Sequence, residues 1–200
     1  MTGPHIRRYA PTDLEALYDI CLKTGAAGKD ATGMLDEPRL LGAVFAAPYG
    51  TLEPQHAFVL DDGAGVAAGY VIGAFDSRTF EARCDAAWWP SLRERFPPQD
   101  DGRTFDRILI GLIHNPVRAA ETVLAEYPSH LHIDLLEPYQ SGGWGRRMLD
   151  VLFDSLRTAG SAGVHLGVST ANTRAHGFYL HLGFTELHAD SITHTMGMRL

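Results

Sequence analysis

The octapeptide Gln140-Ser141-Gly142-Gly143-Trp144-Gly145-Arg146-Arg147 limits what this chain can fold into more than any other stretch. An apolar run over 131–136 precedes it and reads as a strand. After it, Met148, Leu149, Leu152, Phe153 and Leu156 fall at helical spacing, predicting a helix over 146–159 that Gly160 closes. Successive glycines between a strand and a helix let the backbone approach a ligand closely. Their N–H groups converge where the helix start already has free donors and partial positive charge. Such a loop suits a phosphate. Arg146 and Arg147 in the first turn oppose the helix dipole by about 0.3–1 kcal/mol each. A bound polyphosphate would offset that; two solvated arginines on a plain glycine turn are the alternative. A Walker loop needs Lys after its last glycine, and Lys23 and Lys29 lie elsewhere. A dinucleotide fingerprint needs a third glycine where Met148 stands, and an acidic residue near the end of the next strand, where 164–169 offers none.

From that loop onward, helices and strands alternate: the helix over 146–159, a strand over 164–169, a helix over 173–182 and a last strand near 195–200. The first half predicts an edge strand over 5–9 and a helix through Leu14, Leu17, Tyr18 and Cys21 capped by Thr12. A glycine-rich stretch over 25–33 and a helical segment over 38–46 follow. Two apolar runs, 56–60 and 66–75, flank a turn at Asp61-Asp62-Gly63 and make a hairpin that joins the sheet. Residues 76–128 carry Trp88-Trp89-Pro90, Phe96-Pro97-Pro98 and an acidic turn at Asp100-Asp101-Gly102, and read as a helical insertion or lid. Trp88, Trp89, Phe96 and Phe105 are candidates for an acceptor wall, with core packing as the alternative.

The whole chain, 1–200, is expected to be one domain, since 45% hydrophobic and 20% charged residues among 200 suffice for one core. Seventeen basic against 24 acidic residues leave a net charge of -7, which argues against a nucleic-acid partner. Cys21 and Cys84 are too few for a disulfide scaffold or a four-thiolate zinc site. No run approaches the roughly 20 apolar residues that span a bilayer, and the first residues lack a signal-peptide core. The expectation is a cytoplasmic protein, monomer or homodimer, without a membrane partner.

A second motif runs from Asn172 to Phe184. Asn172 can cap the helix over 173–182, Ala175, Phe178, Tyr179 and Leu182 share a face, and Gly183 can close it. Each residue thus has a structural role of its own. In sequence order, though, an apolar strand, a Gln-x-x-Gly-x-Gly loop, a helix, a strand, and then Asn with Phe-Tyr-x-x-x-Gly-Phe resemble the GCN5-related N-acetyltransferases. The resemblance is specific over 129–184, compatible in element order over 5–75, and absent over the insertion. Residues 163–169 running into the Asn172 helix look, more narrowly, like the acetyltransferase-like C-terminal domain of O-GlcNAcases and its bacterial relatives.

That resemblance implies an α/β (α+β) fold: a mixed, mostly antiparallel twisted sheet with a splayed central strand pair, flanked by helices, plus the insertion. It implies acetyl-CoA as cosubstrate and an amine acceptor. Gln140, Ser141, Gly142, Gly143, Trp144, Gly145 and Arg146 match the loop that holds the pyrophosphate. Leu135 and Leu136 match the strand end that pairs with the pantetheine arm. Asn172 matches a cofactor-contacting Asn, and Tyr179 the tyrosine near the thioester sulfur. Gln140 stands where many members have Arg.

Acyl transfer sets the remaining candidates. An amine with a pKa near 10.4 must lose a proton before attack, and the departing thiolate gains from a donor such as Tyr179. His130, His132 and Asp134 alternate onto one strand face, which makes Asp134 and His132 candidate bases; a merely polar face is the alternative. No third ligand stands at a recognisable metal spacing beside His130 and His132, so no metal is expected. Two rivals remain: a serine hydrolase through Ser169, Asp190 and His194, whose Gly-x-Ser-x-Gly elbow has Ala171 in place of its last glycine, and a catalytically inactive acyl-CoA-binding module.

Overall fold

The computed structural model describes residues 3–98 and 104–200, so the acidic turn at 100–102 lies outside the described residues. In chain order the elements are β1 (His5–Arg8), α1 (Leu14–Thr24), α2 (Arg39–Phe45), α3 (Ala47–Leu52), β2 (Ala57–Asp61), β3 (Ala67–Ala74), α4 (Ser77–Ala87), α5 (Trp89–Arg95), α6 (Phe105–His114) and α7 (Glu121–Leu124). Then come β4 (Ser129–Leu135), α8 (Trp144–Ala159), β5 (Gly163–Ser169), α9 (Thr173–Leu182), β6 (Thr185–Ala189) and β7 (Thr193–Arg199). The strands form one mixed sheet in the order β1-β2-β3-β4-β5-β7-β6. Every neighbouring pair is antiparallel except β4 and β5.

That exception opens the sheet. The β4–β5 register holds only at Ser129↔Val164 and His130↔His165, while β4 stays paired with β3 as far as Leu135. Beyond His130 the two strands diverge, leaving a gap between their C-terminal halves.

Alternation of side chains assigns each face its own core. Val59, Tyr70 and Ile72 pack on one side against Leu17, Ile20, Leu40, Leu109 and Ile113. Phe58, Leu60, Val71, Leu131 and Leu135 pack on the other against α8 and α9. Leu149, Leu152 and Leu156 on α8 are completely buried, each removal from water stabilising by about 1.5–3 kcal/mol.

Several boundaries differ from expectation for local reasons. Thr12 does not cap α1; the Asp13 carboxylate occupies that corner, accepting from Ala10 N–H at 2.8 Å and from both Arg7 Nη atoms at 2.7 and 2.8 Å. The hairpin turn is longer than Asp61-Asp62-Gly63, because Asp61 Oδ1 accepts from the N–H groups of Gly63 and Gly65 and leaves Val66 outside β3. Strand β4 starts at Ser129, and Leu136 lies beyond it. Helix α8 starts at Trp144, so Gly145 and Arg146 belong to its first turn. Strand β6 was not foreseen: it lies at the sheet edge with a mostly exposed pattern that carries little alternation.

The helices of 76–128 contribute Phe80, Cys84, Trp89, Leu109, Ile110 and Ile113 to the first core. Their apolar faces rest on α2, α3 and one another.

Candidate active site

Hydrogen-bond alternation along β4 decides which backbone groups face the gap. Leu136 N–H donates to Ala68 O at 3.0 Å, and Leu135 stands opposite Gly69. Asp134 therefore turns its backbone groups toward β3, whereas Ile133 and Leu135 turn theirs toward the gap. Leu136 C=O accepts from Tyr139 N–H at 2.8 Å, so both its groups are engaged within the protein. Of the expected pair, Leu135 faces the opening, with its C=O already accepting one hydrogen bond from Gln140 Nε2, and Leu136 does not; Ile133 is the second residue there.

The glycine loop closes one end of the gap. Gly142 and Gly143 have φ of 71° and 79°, a left-handed succession that a side chain would strain. Gly143 is the N-cap of α8 and supplies no side-chain cap, and the first turn holds no acidic residue. Among the described residues, no backbone acceptor receives the N–H groups of Ser141 through Arg146. They are the free donors of a helix start together with those of the loop before it. Gly145 has a different role, since a Cβ there would come within 3.1 Å of Phe178 Cζ. Its bareness lets α8 approach α9.

The two arginines separate. Arg147 lies 4.2 Å over the Trp144 ring and donates to Gly142 O at 2.5 Å, which fixes the loop from outside. Arg146 is 64% exposed and pairs loosely with Asp150 one turn on, at 3.9 Å. Gln140 is held at both ends: its Nε2 donates to Leu135 O at 2.9 Å, and Arg174 donates to its Oε1 at 2.9 Å and its backbone O at 2.8 Å. Arg174, unremarked in the sequence, thus ties α9 to the loop and to the end of β4.

Asn172 caps α9, its Oδ1 accepting from Ala175 N–H at 3.1 Å. Its Nδ2 faces Gly28, where a Cβ would stand 3.4 Å away. Tyr179, two turns along, is 8% exposed, with its ring 5.4 Å from those of Phe178 and Phe184. Burial, and to a smaller degree the Asp134 charge, raises its phenol above the ordinary value. Tyr179 therefore stays protonated.

Asp134 sits in a polar knot that strand spacing only partly disclosed. Tyr70, opposite it in the register and fully buried, donates a short hydrogen bond to Oδ2. Burial pushes the Asp134 carboxyl up to about 6, with hydrogen bonding from Tyr70 and Thr24 opposing the rise.

His132 belongs to a separate chain of contacts. Ser77 Oγ donates to Pro128 O at 2.7 Å, so His130 Nδ1, also at 2.7 Å from Ser77 Oγ, carries the proton there. His130 Nε2 then accepts from Tyr49 Oη at 2.7 Å, and Tyr49 Oη accepts from His132 Nε2 at 3.1 Å. This assignment, inferred from the network, leaves His132 Nδ1 a lone pair without a protein partner among the described residues. Burial lowers both imidazoles, His132 to about 4. Tyr49 and Ser77 were not singled out in the sequence; an isolated Tyr in an Ala-Pro-Tyr-Gly run carries no spacing signal.

Of the four aromatic residues expected to wall an acceptor site, Trp89 is buried, Trp88 donates its Nε1–H to Ala43 O at 2.9 Å, and Phe96 packs on the first core. Phe105 lines a recess of about 440 Å³ with Gly25, Ala26, Met34 and Ile108.

A sheet split at its one parallel pair among the described residues, with a glycine-headed helix start at the opening, is the arrangement that the resemblance to the acetyltransferases implies. Comparison with known proteins agrees. The model of the acetyltransferase (GNAT) family matches residues 36–184. The solved structure of SsHAT superposes with a TM-score of 0.94 at 42% identity, over 99% of this chain and 98% of that one. Protein O-GlcNAcase of Rattus norvegicus is 27% identical over 187 residues, 91% of this chain and 20% of that protein; the Mus musculus protein matches to the same extent. This chain thus spans about a fifth of the length of those relatives. The structure of yncA from Salmonella typhimurium, solved with acetyl-CoA, shares the fold at a TM-score of 0.56 and 16% identity, over 100% of this chain and 95% of that one. The chain belongs to the acetyltransferase (GNAT) family. Among the described residues no helix is long and apolar enough to cross a membrane.

Proposed function

We propose that this protein transfers an acetyl group from acetyl-CoA to a primary amine by direct attack. The observation that carries the reading is the row of backbone N–H groups from Ser141 to Arg146 without protein acceptors, at the mouth of a gap into which Ile133 and Leu135 turn their backbone groups. A diphosphate meets the donors, and an extended amide arm pairs with the strand. Acetyl-CoA when bound supplies the thioester whose carbonyl carbon the amine attacks.

Tyr179 hydrogen-bonds the sulfur as negative charge develops. Its phenol, raised above 10, is a weaker acid than a thiol near 8.5, so complete proton transfer to thiolate is uphill by at least about 2 kcal/mol. Tyr179 therefore stabilises by donation rather than by giving up its proton. The base follows from magnitudes. Burial pushes the Asp134 carboxyl up to about 6 and the His132 imidazole down to about 4, so the carboxylate is the stronger acceptor of a proton from an ammonium near 10.4. Asp134 is the base on that ground, and His132, neutral with Nδ1 free, orients the amine by accepting its other hydrogen.

Titration calorimetry with acetyl-CoA, combined with CoA release against a panel of amines and basic peptides, tests the reading. Binding together with amine-dependent release supports it. Binding without release on any acceptor favours an inactive acyl-CoA module, and no binding removes the site.

A further inference from the structure

On α9, one turn beyond Asn172, His176 faces the β6–β7 hairpin, where Glu186 and His194 project toward it. Glu186 Oε2 lies 3.3 Å from His176 Nε2 and 2.7 Å from His194 Nδ1, and the three ligand atoms all fall within 4.8 Å of one another. The imidazoles lie nearly parallel, 4.3 Å apart. Two facts separate this cluster from an ordinary surface ion pair. His176 Nε2 and His194 Nδ1 are both buried, and neither makes a hydrogen bond of acceptable geometry. The carboxylate is close to both ring nitrogens without lying where either would donate.

Buried polar atoms without partners are uncommon and call for an occupant. We infer that His176, Glu186 and His194 bind one divalent first-row transition ion of the Zn²⁺ class, which pins α9 to the β6–β7 hairpin. Two imidazoles and a carboxylate are a donor set for such ions, and bonds of about 2.0–2.1 Å put tetrahedral ligand atoms roughly 3.3 Å apart. Glu186 Oε2 stands 3.3 Å from His176 Nε2 and 2.7 Å from His194 Nδ1, and binding turns the two imidazoles out of their stack so that both lone pairs meet the ion. The ladder supplies the aim: Glu186 stands opposite Met196, His194 is two residues before it, and all three point toward the α9 side where Met196 is buried. A register break between Glu186 and His188 turns the edge strand at this point. A fourth position stays open, because Glu186 is 41% exposed. In the sequence the three ligands are separated by ten and eight residues across three elements, so no spacing motif announced them. The inference does not depend on acyl transfer.

The test uses the untagged chain, stripped with a chelator and titrated calorimetrically with ZnCl₂ and spectroscopically with CoCl₂. Expected are one Zn²⁺ per chain at micromolar affinity or tighter, intense visible bands of four-coordinate Co²⁺, and a higher Tm in excess Zn²⁺. His176→Gln, Glu186→Gln and His194→Gln should each weaken Zn²⁺ binding by roughly 100-fold or more, since even outer-shell partners are worth about 10–100-fold. His188→Gln, an exposed neighbour, should bind as wild type. Circular dichroism in chelator establishes that each variant is folded, and in any that is not, the wild-type Co²⁺ spectrum decides. No stoichiometric binding, an octahedral Co²⁺ spectrum, or binding unchanged in the three variants would overturn the site and leave a carboxylate held between two histidines.

Discussion

Tyr70 donates a short hydrogen bond to Asp134 from the residue directly opposite it in the β3–β4 ladder. A fully buried phenol thereby supports the charged form of a carboxyl that burial pushes up to about 6. Removing the donor leaves burial unopposed. With saturating amine, kcat/KM for acetyl-CoA should rise with pH through a pKa of about 6 and then level off. In Tyr70→Phe the same limb should move to higher pH. A limb that stays put would separate the Tyr70 contact from the titrating group.

Asp134→Asn should lower turnover by about 10²–10⁴-fold, the usual worth of a positioned base. The same change should raise Tm, and by more at pH 8 than at pH 4. The sign follows from linkage. The folded-state pKa of about 6 exceeds the ordinary 3.8, so the native state holds this proton more tightly and stability falls as pH climbs from about 4 to 6. Asparagine removes that loss. Thermal melts at the two pH values check it.

Tyr179→Phe should leave acetyl-CoA affinity nearly intact and lower turnover about tenfold or more. The ring, packed between Phe178 and Phe184, remains in place without its hydroxyl. Calorimetry and steady-state kinetics on one preparation separate the two effects, and unchanged turnover would take Tyr179 out of the reaction.

Arg174→Ala should loosen Gln140 and with it the loop, because Arg174 holds both the side chain and the carbonyl of that residue. Losing hydrogen bonds of about 1 kcal/mol each should weaken acetyl-CoA binding by roughly fivefold or more. Turnover at saturation should be unchanged. A fall in kcat without a change in affinity would contradict this positioning role.

The back half of the fold was legible because each element there carries its own signal. The stripe from Met148 to Leu156 marked α8, Gly160 and Gly183 closed two helices in the left-handed conformation, and Asn172 caps α9 as its position implied. What spacing could not give were contacts between distant parts of the chain. Tyr49 reaches His130 across 81 positions, and Tyr70 reaches Asp134 across 64. Leu136 was misplaced because backbone pairing at a strand end depends on which residue leaves the ladder, and here Tyr139 and Ala68 take its groups. Trp88 and Trp89 looked suited to an acceptor site, but large aromatic residues serve a core equally well, and that is where they lie.

The central claim is that the N–H groups from Ser141 to Arg146 hold the diphosphate of acetyl-CoA. Gly143→Asp, placing a carboxylate at the left-handed N-cap, should weaken binding about tenfold or more, as charged hydrogen bonds are worth about 1.5–3 kcal/mol. The most direct measurement is a crystal structure with acetyl-CoA. The account predicts diphosphate oxygens within hydrogen-bond distance of several of these amides and the thioester sulfur beside the Tyr179 hydroxyl. A diphosphate bound anywhere else, with those amides facing solvent, would contradict it.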